Sequence, residues 1–411
     1  MADLFPPALG ARLYGILGLV FLCAVASQVT VAYDMPGELS GNVTPQQRYF
    51  FQDADSGPSY RSNLSLAVEP EFYLDWQNRR QALTIKLFAR LDQRDQERTH
   101  VDIRELNWLK IQGDWEWRLG IGKVFWGVTE SNHLVDIINQ TDTVENIDDE
   151  DKLGQPMVQA IWLRDWGAVQ FFMLPYFRER NFPGKEARLR PPLVVDSDRA
   201  EFESSRANRH IDWAIRANGS LGPLDLGISQ FIGTGRTPQL LPARDDDGNP
   251  ILIPRYNQIK QTGLEAQAIV GDWLWKLEAI YQFNPVEDFF AAVGGFEYTF
   301  VGVFKSVVDV GALAEFNYDA REGNSPSPFQ NDLFVGTRLS FNDVQSSEIL
   351  AGGFFDLNTA GLSLRIEAAR RLGEHWKLSL ELQTLANIDQ KDPLFGLRKD
   401  DFLQIDLGYF F

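Results

Sequence analysis

The sequence predicts an all-β chain: a single antiparallel β-barrel that crosses a membrane with about eighteen strands. Three observations carry that expectation. Segments of roughly ten residues alternate apolar and polar side chains, the period of a strand with two unlike faces. The connections between them alternate between short and long. Tryptophan recurs directly after the short ones.

Composition narrows the class. The chain has 411 residues, with 39 Lys plus Arg against 57 Asp plus Glu, a net charge of -18. So acidic a protein repels a polyanion, which argues against nucleic acid as a partner. One Cys excludes a disulfide framework and a cysteine zinc site. A mean hydropathy of -0.24 excludes a helical membrane bundle.

The long apolar run sits at the N-terminus. Arg12 precedes Leu13 to Val25, which is too short to span a bilayer, and Ala24-Val25-Ala26 is a small-x-small cleavage site. Thr30-Val31-Ala32 is the alternative. Leu22 before Cys23 is wrong for lipoprotein cleavage, so no lipid anchor is expected. Residues 1–26 are therefore expected to be a signal peptide, and 27–411 one mature domain without Cys.

The strands follow in order. Expected strands cover 38–51, 62–76, 80–92, 99–111, 115–125, 156–164, 167–177, 209–218 and 222–232. The second half holds 258–270, 273–284, 288–300, 306–318, 329–341, 347–357, 360–371, 375–386 and 400–411. In Trp376 to Gln383 the alternation is complete. Trp273, Trp275, Leu277, Ala279, Tyr281 and Phe283 share a face opposed by Lys276, Glu278 and Gln282. Leu83, Ile85, Leu87 and Leu91 likewise oppose Lys86 and Arg90. In 99–111, adjacent Arg104 and Glu105 break the pattern and require a bulge or a shifted register.

Short turns fall at Gly113-Asp114, Arg164-Asp165, Gly222-Pro223, Gly271-Asp272, Asn342-Asp343 and Gly373-Glu374. Long connections fall near 126–155, 178–208, 233–257, 319–328 and 387–399. Short periplasmic turns at one rim and long extracellular loops at the other are a barrel's layout. Trp115, Trp166, Trp273 and Trp376 then form an aromatic girdle at headgroup height.

The chain ends Phe402-Leu403-Gln404-Ile405-Asp406-Leu407-Gly408-Tyr409-Phe410-Phe411. This alternating strand with an aromatic terminus resembles the terminal strand of bacterial outer-membrane β-barrels. The resemblance implies that Tyr409 and Phe411 serve as the assembly signal read by the outer-membrane insertion machinery. It also implies periplasmic termini, hence an even strand number. Glu38 to Phe51 completes eighteen, or sixteen if two weak strands are loop.

A barrel this wide holds water unless loops fill it. By parity its lumen receives Lys86, Arg90, Arg118, Arg216, Lys276, Arg338, Arg365 and Lys377. It also receives Asp212, Glu265, Glu278, Glu297, Asp309, Glu315, Asp332, Glu348, Glu367, Glu381 and Asp406. Such a mixed-charge wall suits a porin-like channel for small polar or charged solutes. The alternatives are an export channel for a polar polymer, or a non-conducting structural or adhesive barrel. The segment Leu119-Gly120-Ile121-Gly122-Lys123-Val124-Phe125-Trp126-Gly127-Val128-Thr129-Glu130-Ser131 resembles the strand-plus-loop segment of alginate-export-type channels, with Lys123 and Val124 in place of their Arg and Gln. That resemblance bears on barrel size more than on substrate.

Loop 126–155 holds eight acids, among them Asp148, Asp149, Glu150 and Asp151, against a single Lys152. Leu134, Ile137 and Ile138 have helical spacing, so a short helix folded into the mouth is expected, with those four acids constricting the pore. The competing readings are a solvated acidic loop and a divalent-cation site. Asp245-Asp246-Asp247-Gly248-Asn249 shares that ambiguity but lacks EF-hand spacing. In loop 178–208, seven basic residues interleave with six acids; they either grip anionic solutes or pair within the loop. Only four His are present, and no nucleophile motif appears. No enzyme activity, cofactor or metal is expected. The expected partners are outer-membrane lipids and lipopolysaccharide, the assembly machinery and small polar solutes.

Overall fold

The computed structural model describes residues 37–411 except 56, 322 and 324. The expected signal segment 1–26 lies outside the described residues. The first half of the chain gives β1 (Glu38–Phe50), β2 (Ser62–Trp76), β3 (Gln81–Asp92), β4 (His100–Gln112), β5 (Trp115–Gly122), β6 (Gln155–Arg164), β7 (Gly167–Leu174), β8 (Glu201–Phe202), β9 (Asp212–Leu221), β10 (Leu224–Thr234), β11 (Gln239–Arg244) and β12 (Pro250–Tyr256). The second half gives β13 (Gln258–Val270), β14 (Trp273–Phe283), β15 (Phe289–Phe300), β16 (Asp309–Asp319), β17 (Asn331–Ser340), β18 (Glu348–Asp356), β19 (Leu362–Leu372), β20 (Trp376–Ala386) and β21 (Phe402–Phe410). Short β8, β11 and β12 make a separate three-stranded sheet; the others form one 18-stranded sheet.

Each barrel strand pairs antiparallel with its chain neighbours, and β1 pairs with both β2 and β21, which closes the cylinder. All eighteen expected strands are present. Their ends move where turn chemistry competes with pairing: the strand expected at 306–318 starts at Asp309, because 301–308 folds as a turn around Val303–Lys305.

Closure puts both ends of the described chain on the rim of the tight turns. At Gly113, Gly222 and Gly271 the backbone takes φ of 60°, 63° and 63°, a conformation glycine adopts without strain. One expected turn is displaced. Arg164 still pairs with Gly167, so the turn is Asp165-Trp166 and Trp166 sits in it. The opposite rim carries 51–61, 123–154, 175–211, 235–257, 320–330 and 387–401. Its connections 93–99, 284–288 and 357–361 are short too, so length alone does not sort every hairpin.

The outer wall is apolar. Val101, Ile103, Leu119, Phe171, Ile228, Leu264, Leu277, Phe316 and Val335 are exposed from strand after strand. In water such a surface would drive association; in a bilayer it is the solvated face. Aromatic rings gather at the turn rim: Trp115 stacks on Trp117 and Trp162, Trp273 on Trp275, and Trp376 tilts against Tyr409. The expected girdle is therefore broader than its four founding tryptophans.

The irregularity in 99–111 is a bulge. Lys86 faces Glu105 and Leu87 faces Ile103, leaving Arg104 without a partner on β3. The extra residue lets Arg104 turn inward, where it is buried.

We expect the folded protein to resist SDS unboiled and to show a heat-dependent gel shift, because a closed cylinder has no edge to unzip. Mainly helical far-UV circular dichroism would contradict the fold. Phe411 exchanges both backbone hydrogen bonds with Gly41 across the seam, each 3.1 Å. Deleting Phe411 should lower the amount of barrel in the membrane, read as the heat-shifted fraction.

Candidate pore constriction

The loop 123–154 begins where β5 ends at Gly122. Its neck is stapled by Asn139, which accepts from Val124 N–H at 2.8 Å and donates to the carbonyls of Gly122 (2.9 Å) and Leu153 (2.8 Å). Thr141 bridges to Lys152, and Asp142 N–H donates to Asp151 C=O. Past the neck, Trp126, Val135, Ile137 and Ile138 are buried against Met157, Phe172, Ala214, Phe231, Ile259 and Ile280 of the wall. The expected short helix does not form; Leu134 and Val135 lie in a turn and Asp136 to Ile138 are irregular. The apolar residues at that spacing dock on an inner wall instead of on a helical face.

Wall carboxylates hold the loop's backbone. Glu278 on β14 is fully buried and accepts from Val128 N–H (2.7 Å), Thr129 N–H (3.0 Å), Thr129 O–H (2.6 Å) and Val135 N–H (3.1 Å). Glu315 on β16 accepts from Glu130 N–H (2.9 Å) and Ser131 N–H (2.8 Å). Gly127 makes the approach possible: at φ +145° a Cβ there would stand 2.9 Å from the Glu278 carboxylate. Charge-assisted bonds of this kind are about twice as strong as neutral ones.

Wall cations hold the loop's acids. Arg338 reaches Glu130 at 2.8 Å, and Lys276 stands 3.7 Å from both Glu130 and Glu297. From other strands, Arg90 grips Glu145 at 2.6 Å, Arg104 grips Asp142 at 2.7 Å, and Arg365 grips Asp148 at 2.5 Å. Glu381 accepts from Asn146. A segment tied to β3 and β4 and also to β14, β16, β17, β19 and β20 crosses the lumen.

Eight of the sequence-predicted lumen residues thus meet at or beside the loop: Arg90, Lys276, Glu278, Glu297, Glu315, Arg338, Arg365 and Glu381. Arg216 and Glu265 form their own ion pair, with Trp126 beside the guanidinium. Lys86 pairs with Glu69, Arg118 with Glu116, and Glu367 with Arg365. Asp309 secures the turn through Gly302 and Asn342, while Lys377 sits one residue inside the turn rim. Arg48 and His100 on the wall, and Arg98 in the 93–99 connection, also face the loop without having been singled out. Arg48 lies within a recognised strand, where inward parity could have found it.

The loop's charge is not free, contrary to its sequence. Glu130, Asp136, Asp142, Glu145 and Asp148 each meet a Lys or Arg, and Glu150 meets His133 at 3.3 Å. Among the described residues, Asp149 and Asp151 have no basic partner. The Asp151 side chain is open to the water inside the barrel, but enclosure by the surrounding walls strips much of its hydration, and together with Glu145, Asp148 and Asp142 this pushes its carboxyl up to about 7. Burial also raises Asp142, but the His100 hydrogen bond and the Arg104 charge outweigh it and hold that carboxyl well below its usual range. His100, Asp142 and Glu145 place ligand-type atoms within 4.8 Å of one another, yet Arg104 and Arg90 occupy both carboxylates.

Two further expectations change. Asp245 spends its oxygens on its own hairpin turn, accepting from Asn249 N–H (2.7 Å), Asn249 Nδ2 (2.8 Å) and Asp247 N–H (3.0 Å). Loop 175–211 does not neutralise itself. Arg178 reaches Asp102 on β4, and Arg188 reaches Asp400 at 2.6 Å and the carbonyls of Gln52 and Tyr60. That loop is strapped to the far side of the mouth, with Leu189 buried against Phe50 and Phe402.

No family model and no curated protein matches the chain. Solved structures similar to it include the outer-membrane expressed OmpT of Vibrio cholerae, 8% identical over 92% of this chain and 99% of that one, TM-score 0.44. A high-pH structure of Pseudomonas putida OprB is 10% identical over 94% and 97%, TM-score 0.44. A multiply substituted mutant of the Rh. blastica porin is 11% identical over 91% and 100%, TM-score 0.42. They carry no solute, activity or residue role over to this chain.

Glu278→Gln keeps the shape of the clamp but removes its charge. The loop's attachment should weaken by about 1.5–3 kcal/mol. Faster proteolysis within 123–154, with an unchanged heat-dependent gel shift, is the expected readout.

Proposed function

We propose that the protein is a porin-like channel of the bacterial outer membrane, conducting small polar or charged solutes past loop 123–154. The observation that carries this reading is the clamp itself. Opposed walls of an eighteen-stranded barrel hold a loop across the lumen, and ordered carboxylates line it. A barrel serving only as a scaffold has no need of a loop fixed at that height. The expected signal peptide and aromatic terminus support this location, as does the apolar belt.

The acids not spent on a Lys or Arg set the selectivity. Asp149, Glu150 and Asp151 are exposed, and low-dielectric walls focus their field. Cations should be favoured at low salt, and the preference should fade as the screening length shortens to ~3 Å at 1 M. Stepwise conductance in planar bilayers tests the channel; silence would support a non-conducting barrel. Replacing Asp149, Glu150 and Asp151 together by Asn, Gln and Asn should shift the reversal potential across a salt gradient. Neutralising Asp245, Asp246 and Asp247 should shift it little.

The same channel should respond to pH. A carboxyl raised to about 7 is ionised above that value and neutral below it. Cation preference should therefore grow as pH rises from 6 to 8, and Asp151→Asn should flatten the change.

A further inference from the structure

The outer wall changes character where β9, β10, β13 and β14 approach the loop rim. Register fixes two rows across these strands. The upper row is Trp213, Ile232, Lys260 and Phe283; the next is Ile215, Gln230, Thr262 and Tyr281. Trp213, Ile232, Phe283, Ile215 and Tyr281 are all exposed members of the apolar face. Gln230 and Thr262 therefore point the same way, toward lipid.

Their polar groups are only partly satisfied. Thr262 O–H donates to the Gln230 carboxamide oxygen at 2.7 Å, and the Gln230 amide donates to the Phe231 carbonyl at 3.3 Å. A carboxamide has two N–H groups. The other meets no acceptor among the described residues, and in hydrocarbon an unmet donor is costly. Beside it runs a groove of about 450 Å³, walled by Phe171, Trp213, Ile215 and Ile232, with Ala160 and Gln230 among its lining. Above it, Lys260 is exposed at the loop rim and pairs with no acid among the described residues.

We propose that this groove binds one lipopolysaccharide molecule through its lipid A. One acyl chain lies along the groove, a chain hydroxyl accepts the free Gln230 N–H, and a phosphate meets Lys260. The polar pair lies two residues below the cation, about 7 Å along the strand, the depth of a hydroxyl near the head of an acyl chain. Continuity with the apolar belt and the charge of Lys260 select a membrane anion over a protein partner. The proposal rests on the outer-membrane reading.

Native mass spectrometry of the detergent-solubilised protein, titrated with lipid A, tests it. Wild type should retain one lipid A. Lys260→Ala should weaken retention about fivefold, the worth of one cation at an anionic surface. Gln230→Leu should weaken it as well, and Ala160→Phe, which fills the groove, should abolish it. Equal retention by wild type and Ala160→Phe would overturn the site. Equal retention of phosphatidylglycerol and lipid A by wild type would overturn the choice of lipid. The heat-dependent gel shift, scored on every variant, separates these results from failure of the barrel; a wild type that neither shifts nor enters vesicles would overturn the membrane reading itself.

Discussion

A backbone N–H facing hydrocarbon has no water to bond, and the structure follows from that constraint. Every membrane-facing strand must be paired on both edges, so the sheet closes, with β1 bonded to β21 as well as β2. Closure fixes the parity of each strand, and parity decides which side chains face lipid and which face the lumen. The exposed apolar belt and the inward ionic network are two consequences of one hydrogen-bonded cylinder.

Closure creates a second problem inside. Eighteen strands enclose more space than inward side chains fill, and loop 123–154 occupies part of it. The solution is asymmetric. On β6 to β15 the loop buries apolar residues against an apolar inner wall, as in a soluble core. Elsewhere it is held by charge, with wall carboxylates taking its N–H groups and wall guanidinium groups taking its acids. Glycines make room for the acids: Gly227 lies opposite Glu265, and Gly295 opposite Glu315. A Cβ at either glycine would collide with the facing glutamate.

This pairing changes what the loop's composition means. Eight acids near one lysine read as a strong local field, but most of that charge is consumed in fixing the loop. Among the described residues, the loop's acids without a Lys or Arg ion pair lie in the short stretch around Asp149 and Asp151, where like charges crowd. In the channel we propose, selectivity is a remainder after structural pairing, not a sum over acidic residues. At the mouth, too, Arg188 is spent on structure through its ion pair with Asp400.

The sequence by itself determined the barrel. Period-two alternation is local, so the strands, their faces and even the irregularity at Arg104 and Glu105 could be read from neighbours in the chain, while the choice of eighteen over sixteen was left to closure. The lumen-facing side of Glu278, Glu315 and Arg365 was legible for the same reason. Their role was not. Glu278 meets Val128 and Thr129, and Arg365 meets Asp148, across sequence separations that no local pattern encodes. The helical spacing of Leu134, Ile137 and Ile138 misled because an apolar surface from seven other strands competes with helix formation. Tertiary structure alone decided which charges neutralise one another, because ion pairing depends on distance in space, and here that distance is set by where a loop lands inside a closed wall.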